Sequence, residues 1–101
     1  MVFHEVSRIA LIPDDTGVCV DVAGRKIALF KHDGDVFAVD NVCPHEGGPI
    51  SQGFYEDLIV TCPMHAWDFD VRTGRVKGGV ETLETFPVRV DEDGSVHVSV
   101  E

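Results

Sequence analysis

Only three cysteines occur among 101 residues, and an odd, sparse set of that kind does not make the disulfide framework of a small secreted domain. No apolar run approaches the roughly 20 residues needed to cross a bilayer. The amino terminus, Met1-Val2-Phe3-His4-Glu5, lacks the basic and apolar regions of a secretory signal. Basic residues are also scarce. Eight Lys and Arg stand against 18 Asp and Glu, a formal charge of −10, which argues against nucleic-acid or anionic-membrane binding and for docking on basic protein surfaces. These absences lead to the expectation of a cytoplasmic protein, monomeric as a small acidic chain. What is present is ordinary for a globular domain: 44% apolar residues in a length that suits one core.

Helical signal is missing too, since no window holds an i, i+3, i+4, i+7 apolar stripe free of Gly or Pro. Period-two alternation recurs instead. It runs through Val18–Val22, through Lys26–Phe30 and Val36–Val39 about an Asp33-Gly34 turn, and through Leu58–Thr61 and Trp67–Val71. It closes with a hairpin predicted from Phe86, Val88 and Val90 to Val96, Val98 and Val100 about Asp93-Gly94. Short strands with frequent turns predict an all-β fold, a sandwich or small barrel. Cys19, within an apolar strand, is expected as a small core residue. His4, His32 and His97 are expected to be solvated.

Two stretches with little strand character, residues 41–53 and 62–66, hold every Cys–His pair. They read Cys43-Pro44-His45 and Cys62-Pro63-Met64-His65, with sixteen residues between His45 and Cys62. Each offers one thiolate and one imidazole, a donor set that suits zinc or an iron–sulfur cluster. Zinc fingers usually run Cys-Cys-His-His, whereas the order here is Cys-His-Cys-His with unequal spacing.

The pattern Cys-x-His…Cys-x-x-His with Pro in both loops resembles the Rieske [2Fe–2S] proteins. The resemblance continues through Gly47-Gly48-Pro49-Ile50, Gly53, Trp67-Asp68-Phe69-Asp70 and Thr73-Gly74, and so covers nearly the whole chain. It implies a single domain over residues 1–101, built of stacked antiparallel sheets with a two-loop cluster-binding subdomain at about 41–80. It also implies one [2Fe–2S] cluster, with Cys43 and Cys62 on one iron and His45 and His65 on the other. With ferric irons that ligand set is neutral, where four cysteines would leave −2. Histidine ligation therefore raises the potential into a range of about −150 to +300 mV.

High-potential members carry an additional disulfide whose positions match Gly48 and Met64. They also place hydroxyl donors where Trp67 and Phe69 stand. Lacking both, this chain is expected near the bottom of the range. The implied function is one-electron transfer from an NAD(P)H-dependent flavoprotein reductase to a terminal aromatic-ring oxygenase, with no catalytic residues of its own. The other function the resemblance allows is that of the small subunit of an NADH-dependent nitrite reductase. A zinc-stabilised interaction module stands outside the resemblance. Glu46, Glu56 and Asp57 are candidates for an acidic docking rim.

Overall fold

The computed structural model describes residues 2–44, 47–64 and 67–100. Among the described residues, ten strands form three antiparallel sheets. The central sheet is β2 (Val18–Val22), β3 (Arg25–His32), β4 (Asp35–Asp40) and β8 (Thr85–Phe86), in that order. A second sheet has the order β1 (His4–Arg8), β10 (Ser95–Val98), β9 (Val88–Val90). The third is β5 (Phe54–Glu56), β6 (Ile59–Thr61), β7 (Asp68–Asp70). Two single 3-10 turns, Ile9–Leu11 and Ile50–Gln52, are the only helical pieces among the described residues.

β3 explains the layering. Its residues Ile27, Ala28, Leu29 and Phe30 are all fully buried, so the strand hides both faces. Ala28 and Phe30 join one core with Val39, Ile50, Tyr55, Val60, Phe69 and Leu83. Ile27 and Leu29 join the other, with Ile12, Val22, Ala38, Val96 and Val98. The first core binds the β5–β7 sheet to the central sheet, and the second binds the β1–β10–β9 sheet. Each fully buried Phe or Leu contributes roughly 1.5–3 kcal/mol of transfer free energy.

The predicted strands are present, with corrections. The C-terminal hairpin is β9–β10 alone, because Phe86 belongs to β8 and pairs through Ala38 in the central sheet. Pro87 lies at the crossover, where a residue without an N–H interrupts a ladder. Leu58 is not in β6; with Asp57 it forms the left-handed turn joining β5 to β6 (φ 72° and 49°). β1 and β5 have no counterpart in the sequence reading. Cys19 is exposed rather than in the core, since Val18, Val20 and Val22 take the inward positions of β2 and leave Cys19 with Asp21 outside. His97 is not solvated. Its side chain is mostly buried, with Nε2 3.0 Å from Asp91 Oδ2 and 3.1 Å from Ser95 Oγ.

Ser99 is fully buried, and its Oγ has no hydrogen-bond partner among the described residues. An uncompensated buried hydroxyl costs about 1–3 kcal/mol, so Ser99→Ala is expected to raise the unfolding free energy by about 1 kcal/mol. Urea titration with an unchanged slope checks this; a loss of stability would show that the hydroxyl has a partner.

Candidate metal centre

The two Cys–His loops hang from the ends of β4 and β6, and each is closed at its base by backbone hydrogen bonds. In loop one, the Ile50 N–H donates to the Asn41 carbonyl (2.8 Å), Val42 bridges to Pro49, and the Cys43 N–H donates to the Gly48 carbonyl (2.9 Å). The Gly47 N–H returns a bond to the Cys43 carbonyl (2.8 Å) at a φ of 74°, which favours glycine. Asn41 braces this loop from beneath. It is buried, and its Oδ1 accepts the Ser51 N–H at 2.7 Å. Loop two is a hairpin end between β6 and β7. The Cys62 N–H donates to the Trp67 carbonyl (2.8 Å), and Thr61 Oγ1 donates to Asp68 Oδ1 (2.6 Å).

Cys43 and Cys62 are each 1% exposed, and both belong to the core cluster shared with Phe30, Val39, Val60 and Phe69. Fold geometry thus brings two cysteines nineteen positions apart into one apolar wall. The approach of the loops is close at Gly48. A Cβ there would lie 2.2 Å from Met64 Cγ and 3.5 Å from Cys62 Sγ, so a side chain at 48 would have to displace Met64. Gly53 pins the same region: its Cβ would meet the Thr61 carbonyl oxygen at 2.1 Å. His45 and His65 lie outside the described residues, as does Glu46. Phe69 is buried and Trp67 half-buried against this core, their ring centroids 6.4 Å apart.

The sequence pattern reveals neither the brace made by Asn41 nor the contact between Gly48 and Met64. Their signal is tertiary, except that an Asn directly after a strand is a common loop-closing residue. Glu56 and Asp57 sit beside the β5–β6 turn, at the end of β6 away from loop two, so they do not rim that loop. The convergence of Ser95, His97 and Asp91 is not a nucleophile relay, because the hydroxyl and the carboxylate both meet the same ring nitrogen.

Asp70 stands at the end of β7, past loop two. Its Oδ1 accepts the Arg72 backbone N–H (2.8 Å) and Nε–H (3.1 Å), and its Oδ2 accepts Nη2–H at 2.7 Å. The Arg72 side chain holds the carboxyl below its usual range against the opposing effect of burial. A lowered folded-state pKa stabilises above the unfolded value, about 4, and that stability fades as pH falls through the folded value. The stability advantage of the wild type over Asp70→Asn is therefore expected at neutral pH and should shrink below about pH 4. Denaturant titrations at several pH values check it; a constant difference would refute the assignment.

Two loops, each carrying a buried thiol and a neighbouring histidine in sequence, set on a β scaffold with close contact between them, define an iron–sulfur protein of the mixed-ligand kind. The donor set fits: soft thiolates on the dry side, imidazoles two or three residues further on, and a glycine notch between the loops. The Rieske [2Fe-2S] domain profile matches residues 3–97, and the chain belongs to that family. Its cofactor is a Rieske-type [2Fe–2S] cluster.

The 3-phenylpropionate/cinnamic acid dioxygenase ferredoxin subunit of Photorhabdus laumondii is 43% identical over 77 residues, 73% of this chain and 72% of that protein. Among solved structures, the ferredoxin of Sphingomonas yanoikuyae B1 superposes with a TM-score of 0.90 at 27% identity, covering 99% of this chain and all of that one. A structure described as an NADH-dependent nitrite reductase small subunit, from Mycobacterium tuberculosis, gives 0.88 at 28% identity over 96% of this chain and 93% of that one. The expected all-β architecture of stacked antiparallel sheets is the one found. No helix among the described residues is long and apolar enough to cross a membrane.

Proposed function

We propose that this chain is a freely diffusing one-electron carrier, accepting electrons from an NAD(P)H-dependent flavoprotein reductase and passing them to a terminal aromatic-ring oxygenase. Cys43 and Cys62 hold one iron and His45 and His65 the other. Residues 1–101 act as a single domain, with the cluster-binding part at about 41–80. The observation that carries this reading is the burial of Cys43 and Cys62, from two different loops, in one apolar core. The likeness to a dioxygenase ferredoxin subunit supports the choice of acceptor.

When bound, the cluster supplies one reversible electron. The chain's own residues do the rest. The core around Cys43 and Cys62 keeps water from the thiolates. Hydrogen bonds at the base of each loop hold the ligands in place, so little reorganisation accompanies a change of charge. The chain itself makes and breaks no substrate bonds; it acts as a cytoplasmic monomer whose net charge of −10 favours basic partner surfaces.

Electron paramagnetic resonance on anaerobically reduced protein, with iron and sulfide analysis, tests this reading. A rhombic signal with two irons and two sulfides per chain is expected, at a midpoint potential in the lower part of the range of about −150 to +300 mV. Colourless protein containing zinc would replace the carrier by a structural module. The likeness to the nitrite reductase small subunit favours a second reading, residence within a larger oxidoreductase. Reconstitution separates the two: a carrier supports turnover of a separately purified oxygenase with saturable dependence on its own concentration.

A further inference from the structure

Met64 is the sole methionine beyond the initiator, and it stands at the tip of loop two. Its stem fills the notch left by Gly48, since a Cβ at position 48 would be 2.2 Å from Met64 Cγ and 3.3 Å from Met64 Cβ. Beneath that contact lies Cys62 Sγ, 3.5 Å from the same point. The residue as a whole is nevertheless 56% exposed. One side of Met64 therefore seals the seam between the two loops above a buried thiol, and the other faces solvent.

We propose that Met64 is an oxidisable latch on the metal centre: its apolar side chain holds loop one against loop two, and conversion to the sulfoxide by hydrogen peroxide releases it. The chemistry needs only peroxide as two-electron oxidant. One peroxide oxygen is transferred to the thioether sulfur, the O–O bond breaks, and water leaves. Sulfur is oxidised by two electrons and peroxide reduced by two. The product places a polar group one bond beyond the Cγ that packs against Gly48, which favours pulling that stem out of the apolar seam into water. Methionine sulfoxide reductase, drawing two electrons from a dithiol, removes the oxygen as water and restores the thioether, so the release is reversible.

This inference rests on the assignment of Cys62 as a ligand in the proposed carrier. Its readouts are the mass at Met64 and the rate at which an iron chelator bleaches the visible spectrum of the holoprotein, not electron delivery. In wild-type protein, a modest dose of peroxide is expected to add one oxygen at Met64 and to speed bleaching several-fold, and methionine sulfoxide reductase should restore the slow rate. Met64→Leu, which keeps the apolar plug without the sulfur, should bleach slowly with or without peroxide. Met64→Gln, polar and not oxidisable in this way, should bleach fast throughout. Oxidation at Met64 with an unchanged bleaching rate overturns the latch, as does equal acceleration in Met64→Leu or failure of peroxide to modify Met64. Absence of any visible chromophore in untreated holoprotein would overturn the carrier assignment as well, and so is distinguishable from failure of the latch alone.

Discussion

Cys62→Ser is expected to purify with little or no iron, no rhombic resonance when reduced, and a lowered thermal midpoint. Three physical losses combine. A serine hydroxyl does not ionise near neutrality, so the soft anionic donor disappears. The site is 1% exposed, which leaves a hydroxyl in an apolar wall at a cost of about 1–3 kcal/mol if it finds no partner. Metal binding free energy also stabilises the fold, because the unfolded chain does not present the four donors together. Against a total stability of about 5–15 kcal/mol for a domain of this size, losing that contribution shifts the midpoint by many degrees.

Cys19→Ser is the internal control. Cys19 is exposed on the outer face of β2, so its substitution should leave iron content and midpoint unchanged. Iron analysis, resonance and thermal unfolding on the two variants side by side decide the matter. Full iron content in Cys62→Ser would remove Cys62 from the ligand set and with it the carrier reading.

The contrast between these cysteines also shows where sequence patterns carry information and where they do not. Both sit next to apolar residues. The four-donor spacing marks Cys62 without any knowledge of packing, whereas a core position for Cys19 follows from the apolar composition of β2 and ignores its parity. Counting parity from Val18, Val20 and Val22 would have put Cys19 outside with Asp21. β2, β3 and β4 were legible because alternation or a continuous apolar run fills each of them.

β1 was not legible, for a physical reason. It is an edge strand, mostly polar, with its pairing to β10 irregular between Glu5 and Ser7, so little burial imposes a pattern on it. β5 is three residues long and buries Tyr55 alone, too little to display a period. Pro87 hid a change of sheet inside what looked like one strand. At the candidate metal centre, the Cys–His pairs of the two loops can be read from the chain. The supports cannot, because the Asn41–Ser51 bond spans loop one and Gly48 against Met64 joins the two loops, and contacts of that kind have no period to read.

A covalent replacement of one such contact makes the second large prediction. In the double variant Gly48→Cys, Met64→Cys, a disulfide should form between the loops of the assembled protein. The Cβ atoms at the two positions would be 3.3 Å apart, a few tenths of an ångström short of the usual separation of about 3.5–4.5 Å, so a slight outward shift suffices. Removing the Met64 side chain clears the 2.2 Å clash with its Cγ, and Gly48 does not hold the left-handed backbone that would penalise a cysteine. The loop closed is about 15 residues, for which the chain-entropy estimate is about 3 kcal/mol. In a domain of this length that corresponds to a rise in thermal midpoint of more than about 10 °C, abolished by a thiol reductant. The positions are those at which the high-potential members of the family are cross-linked. A bond forming there would place the seam between the loops in the same register as in those proteins, with Met64 here occupying the site of the link. Thiol titration of the native double variant decides: two reactive thiols at positions 48 and 64, with no gain in midpoint under oxidising conditions, would mean that the loops stand further apart than Gly48 and Met64 indicate.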